Sequence, residues 1–302
     1  KQDAWQQLKP EARTSRQLLG SGEARLLQQS TNLLEAMQDN RTTPAIADGY
    51  WVMFDYNRGY APDLEASGLM SIDRQPKYSF YQFQSQRPAS EQSPLYPSGP
   101  MVFIASDWRQ DSSLSVRVFS NTEQVSLRLN GKLIQTQPTE LDAHGVRLPL
   151  TFKVPRFEAG TLEAVGFERK GDHWQAVARH QVRTPEAVAQ LHLTLDATGP
   201  APQANDQIFV YASLTDAHGT VVPVNDVPLT VTVEGDLRLL NQPGGLVSER
   251  GPVGLLLQTG IAGSHGRIVV STPCQAKPTS NQAPVPFLNA SWTWSHPLNS
   301  KG

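Results

Sequence analysis

Gly49-Tyr-Trp-Val-Met-Phe-Asp-Tyr-Asn-Arg-Gly-Tyr60 is the stretch on which the reading of this chain turns. Tyr50 to Phe54 form one continuous apolar run, as a buried strand would. The run ends in Asp55, Tyr56, Asn57 and Arg58, all able to hydrogen-bond. A change from apolar run to polar cluster at a carboxyl end is what a β/α-barrel strand shows where it opens onto an active site. Upstream, Ser21 to Met37 places Leu26, Leu27, Leu33 and Leu34 at helical spacing. Ser15 can cap the short run before it, and Pro44 disfavours helix in the residue that precedes it. Downstream, Pro76 to Phe83 sets aromatic residues at helix-compatible intervals. Helix, strand, helix is one and a half units of a barrel, which needs eight strands to close. Residues 1–90 are therefore expected to be unstable alone, with edges such as Trp51 and Phe54 exposed.

Past Arg87 the composition changes. Pro88 to Pro100 is rich in Pro and Ser and reads as a linker or wrapped loop. From Met101 onward the pattern is short strands. Leu114, Val116 and Val118 alternate with polar residues, and so do Val125, Leu127 and Leu129, which run into Asn130-Gly131. Asn-Gly after alternation predicts a hairpin, because both residues tolerate positive φ. Phe152 and Val154 start one strand, and Leu162 to Val165 another. A boundary near Thr184-Pro185 precedes a third block, with alternation at Leu191, Leu193 and Leu195, then Ile208 to Ser213, then Leu229, Val231 and Val233. A tail from about Lys277 holds four prolines and Trp292 and Trp294.

Composition narrows the function classes. With 302 residues there is room for two or three domains. A net charge of −2 argues against nucleic acid as a partner. No apolar run reaches membrane-span length, so no membrane partner is expected. Cys274 is the single cysteine; it allows no intrachain disulfide and no cysteine-based zinc site, and it fits a bacterial cytoplasm or periplasm equally. No histidine pair has metal-ligand spacing. No metal and no cofactor are expected.

The segment from Gly49 to Tyr60, with Ser67-Gly-Leu-Met-Ser-Ile-Asp-Arg-Gln-Pro-Lys-Tyr78 after it, resembles the last barrel strand and closing helix of glycoside hydrolase family 2, the β-galactosidase and β-glucuronidase family. Val118 to Lys132 with Glu158 to Gly166 resembles the sandwich module that follows that barrel. Val210 to Pro223 is similar to an immunoglobulin-like module at the carboxyl end of the family. The resemblance implies a multidomain chain: residues 1–92 the carboxyl-terminal part of a (β/α)8 catalytic barrel, 93–184 a β-sandwich, 185–276 an immunoglobulin-like β-sandwich and 277–302 a tail. The implied activity is a retaining exo-β-glycosidase, β-galactosidase first, with β-glucuronidase, β-mannosidase or action on algal galactans as alternatives. Implied partners are a β-linked oligosaccharide or glycoside, the remainder of the barrel and, through the sandwiches, further copies of the chain in a homo-oligomer.

A retaining glycosidase needs two carboxyl groups about 5–5.5 Å apart. Asp3, Glu11, Glu23, Glu35, Asp39 and Asp48 precede Trp51, and none ends an apolar strand. The three glutamates read as solvated helix-face residues. By the resemblance both catalytic glutamates lie upstream of Lys1, leaving no catalytic residue in this segment. Phe54-Asp55-Tyr56 falls on the family's aromatic-acid-aromatic triplet, so Tyr56 would cover the C–H face of a sugar. Asp55 would orient neighbours or hold another side chain, and Asn57 and Arg58 would bond sugar hydroxyls or an acidic group. A competing reading makes Asp55 and Arg58 a buried pair tying strand to helix, with Tyr56 in the barrel core. Trp51 and the aromatics from Tyr78 to Phe83 read as packing residues, and Asp73, Arg74 and Lys77 as exposed interdomain ion pairs. The alternative function is a non-catalytic carbohydrate-binding or structural module, which Trp108 and Trp174 side by side in solvent would favour.

Overall fold

The structure, a computed structural model, describes residues 17–59, 64–196, 201–241, 245–273 and 285–295. Asp3, Glu11, Ser15 and Cys274 lie outside them. The chain divides into two units between Thr184 and Pro185. It is mostly β-sheet, with two α-helices among the described residues, α1 (Glu23–Arg41) and α2 (Tyr78–Gln84).

The first unit holds two facing sheets. One has the order β3 (Val102–Ala105), β4 (Ser115–Ser120), β7 (Leu150–Lys153). The other has the order β6 (Lys132–Pro138), β5 (Gln124–Leu129), β8 (Thr161–Lys170), β9 (His173–Arg183). All neighbours are antiparallel. Alternation does the work expected of it: Val116, Val118, Val125, Leu127, Leu129, Phe152 and Leu162 all face one buried core. Asn130 and Gly131 take φ of 50° and 79° and turn β5 into β6. Their left-handed backbone is why that dipeptide marks the hairpin.

The other face of β3 and β4 carries a second layer. Phe103, Ala105 and Phe119 alternate with the core residues and pack under Leu19, Leu26, Tyr78 and Tyr81. The Tyr81 and Phe103 rings stack with centroids 3.5 Å apart. Polar contacts seat the helices: Arg117 Nη1 donates to Thr31 Oγ1 at 2.6 Å, and Gln38 Nε2 to Asp142 Oδ2 at 2.9 Å. Between α1 and α2 the seam is polar, with Ser79 Oγ donating to Gln29 Oε1 at 3.1 Å. Glu23 is not the solvated helix-face residue expected. Its Oε2 accepts from Asp107 N at 3.2 Å and Ser112 Oγ at 2.8 Å, tying α1 to the loop after β3. Burial, then the nearby Asp107 charge, raises its pKa.

His180 on β9 closes a corner of this unit. Its ring lies 4.5 Å from that of Phe103, and its Nδ1 accepts the Ile104 N–H at 3.1 Å, capping the outer edge of β3. Burial lowers its pKa from 6.5 to about 4. The unfolded chain then takes up the proton first as pH falls. The stability that neutral His180 contributes is complete above about pH 6.5 and is lost as pH drops toward 4. Urea midpoints of the first unit measured between pH 7 and 4 should fall through this window, and His180→Asn, which keeps an acceptor but does not titrate, should remove that part of the slope.

The second unit has a sheet in the order β10 (Gln190–Leu195), β11 (Gln207–Thr215), β14 (Val253–Thr259), β13 (Leu237–Leu239). Its other sheet has the order β12 (Thr230–Gly235), β15 (His265–Ser271), β16 (Asn289–Ser295). Leu191, Val210, Leu214, Leu255, Leu257, Ile268 and Val270 fill the space between them. Part of the expected tail is corrected here: Asn289–Ser295 is a full strand, paired with β15 along its length. Prolines on both sides hide it in the sequence, but Ala290 and Trp292 alternate inward against the core and Trp294 is buried.

The decisive stretch departs most from expectation. No continuous strand covers residues 49–56. Phe54 forms a parallel bridge to Met70, and β1 (Tyr56–Asn57) pairs antiparallel with β2 (Leu64–Glu65). The Trp51–Val52 peptide is cis. A strand needs a partner for its main-chain groups on both edges if it is to be buried. Here residues 69–70 serve one edge, through Leu69 N to Val52 O, Met70 N to Met53 O and Asp55 N to Met70 O, at 3.0–3.1 Å. Tyr50, Trp51 and Met53 nonetheless remain 38%, 71% and 43% exposed.

Candidate functional site

The site grows from Asp55, which follows the apolar run and, unlike it, is buried. A buried carboxylate must find donors or a cation. Its Oδ1 finds both: Gly68 N donates at 2.9 Å and Lys77 Nζ at 2.8 Å. Lys77 is 0% exposed, and its Nζ also donates to Ala66 O at 3.0 Å. Burial pushes the Asp55 pKa up, against the pull of Lys77 and the Gly68 N–H.

The segment 66–70 is gripped from several sides. Gln29 Nε2 on α1 donates to Gly68 O at 2.9 Å, and Tyr50 Oη to Ser67 O at 2.6 Å. Lys77 N donates to Leu69 O at 2.9 Å. Successive side chains of extended backbone point to opposite faces, so a buried Asp55 turns Phe54 and Tyr56 the other way. Arg74 lays its guanidinium 3.8 Å from the Phe54 ring centroid. Trp51 Nε1 donates to Tyr56 Oη at 3.3 Å, with the two rings edge to face. Arg58 pairs with Glu65 at 3.1 Å, and Asn57 is exposed.

Residues 111–175 match a domain of unknown function (DUF4982). A β-galactosidase of Thermoanaerobacter pseudethanolicus is 27% identical over 223 residues, covering 67% of this chain and 29% of that protein. The crystal structure of a β-glycosidase from Bacteroides vulgatus superposes with a TM-score of 0.63 at 20% identity, over 87% of this chain and 32% of its own. A glycosyl hydrolase family 2 member from Bacteroides cellulosilyticus gives 0.58 at 20% identity, over 88% and 36%. The chain is thus similar in sequence to a β-galactosidase and in fold to glycoside hydrolase family 2 structures. It spans about a third of the length of these relatives.

The four residues singled out from the sequence lie side by side, in different settings. Asp55 is bonded below the surface, Tyr56 is half-buried, Asn57 faces solvent, and Arg58 is held by Glu65. The buried pair tying this stretch to a helix exists, but its members are Asp55 and Lys77, not Asp55 and Arg58. Lys77 is therefore no exposed interdomain residue. A signal was present: an aspartate inside an apolar run calls for a buried cation, and Lys77 opens the helix that follows. Gly68 and Glu65 carried no such signal. Chemically, the arrangement offers an aromatic face at Tyr56 and polar groups at Asn57 and Arg58 beside it, all standing on a fixed base.

Proposed function

We propose that the chain is the carboxyl-terminal part of a retaining exo-β-glycosidase, a β-galactosidase first, in which residues 1–92 complete a (β/α)8 barrel and two β-sandwiches, the second immunoglobulin-like, support it. Both catalytic glutamates belong to preceding strands of the same longer polypeptide. The observation that carries this reading is the uncovered apolar run. Tyr50, Trp51 and Met53 are 38%, 71% and 43% exposed next to a buried ion pair, a combination that calls for a covering layer. The remaining barrel strands supply it.

In that frame Tyr56 covers the C–H face of the terminal sugar, Asn57 and Arg58 bond its hydroxyls, and Asp55 fixes their backbone. The test is hydrolysis by the full-length polypeptide of p-nitrophenyl β-D-galactopyranoside, β-D-glucuronide and β-D-mannopyranoside. Turnover of one supports the reading; no turnover on any removes it. Tyr56→Ala should lower kcat/KM on the preferred substrate about tenfold, equal to ~1.4 kcal/mol of lost binding. The melting temperature should move little, since the side chain is only partly buried.

A further inference from the structure

We propose that Lys77 is a positioning residue of the sugar site, acting through Asp55 on Tyr56. The inference rests on the function proposed above and adds a residue that touches no substrate.

Burying an ammonium group costs several kcal/mol, and an apolar pair of similar volume is often as stable. A lysine with 0% exposure therefore calls for a reason other than stability. Its bonds supply one. Lys77 holds the segment 66–70 twice, through its main-chain N–H to Leu69 O at 2.9 Å and through Nζ to Ala66 O at 3.0 Å. Asp55 holds the same segment twice, through its N–H to Met70 O at 3.0 Å and through Oδ1 from Gly68 N at 2.9 Å. The 2.8 Å ion pair joins the two grips. Asp55 is thereby anchored to the segment at both its main chain and its side chain. Its neighbour Tyr56 leaves the backbone on the opposite face, so its ring direction follows from the ion pair. Trp51 Nε1 donates to Tyr56 Oη at the far end of that ring.

A double-mutant cycle in the full-length polypeptide tests this, using whichever of the three p-nitrophenyl glycosides the wild type hydrolyses. Lys77→Met should lower kcat/KM about tenfold or more, as a small misplacement of a binding group does. In a Tyr56→Ala background the same change should cost less than about twofold, because the group being positioned is gone. A purely structural lysine gives the same factor in both backgrounds, and that result overturns the proposal. So does an unchanged kcat/KM in Lys77→Met. If Lys77→Met does not fold, Asp55→Leu with Lys77→Met removes both charges together and enters the same cycle under the same criteria. Failure of the wild type on every glycoside would instead sink the glycosidase reading, a separate outcome.

Discussion

Replacing Gly68 with alanine should lower kcat/KM of the full-length polypeptide about a hundredfold, the scale set by a 1 Å displacement in a site. It should also cost the first unit about 1–3 kcal/mol, the scale of overpacking. An added Cβ would lie 2.3 Å from Asp55 N, 2.6 Å from Asp55 Oδ1 and 2.6 Å from Met70 O. Two of those atoms are backbone and the third is fixed by Lys77, so none can swing aside. The segment 66–70 must move bodily away from Asp55. That breaks the Gly68 N–H bond to Oδ1 and the Asp55 N–H bond to Met70 O together. The pedestal under Tyr56 is lost, although Tyr56 itself is unchanged. Gly245→Ala is the control, because a Cβ there meets nothing within 4 Å. It should leave both quantities within error. Thermal unfolding by circular dichroism and steady-state kinetics read the two effects. A Gly68→Ala protein with wild-type kcat/KM would mean that the 66–70 segment does not hold the site.

The sandwiches were legible where local chemistry acts alone. Alternation at Val125, Leu127 and Leu129, with Asn130-Gly131 after it, states a strand, its buried face and its turn within a few residues. The site was legible only in part, because its geometry depends on residues distant in sequence. Asp55 announces a buried charge, but nothing near it says that the cation is Lys77. The polar seam of Gln29, Ser79 and Gln82 has no hydrophobic period to read; it follows from two helices meeting over the Ser67–Gly68 carbonyls. The run from Tyr50 to Phe54 misled in one respect. Its composition encodes burial against partners, and the described residues supply partners on one edge alone. Asn289–Ser295 misled in the opposite sense, since prolines nearby masked a strand whose alternation is intact.

Trp108→Ala should destabilise the first unit by about 3–5 kcal/mol, while Trp174→Ala should change it by less than about 1 kcal/mol. Both tryptophans belong to the same unit, and both could serve as sugar platforms by residue type alone. Trp108 is 0% exposed and packs 5.2 Å from the Phe157 ring. Its Nε1 donates to Glu158 O at 3.0 Å, and its main-chain O accepts from Thr184 Oγ1 at 2.9 Å. Truncation would empty an indole-sized volume in the core and strand the Glu158 carbonyl. Collapse is restrained because Trp108 sits at φ 47°, a left-handed turn held by Ser106 Oγ. Trp174 lies on β9 with 46% of its surface in water, opposite Arg169, and leaves no cavity behind. Urea unfolding of the first unit, followed by far-UV circular dichroism, measures the difference without relying on tryptophan emission. The same contrast bears on function. A carbohydrate platform made of Trp108 and Trp174 needs both rings in solvent, and Trp108 is fully buried in the core of the first unit. Tyr56, proposed above as the sugar-contacting residue, is half-buried and is free of that objection.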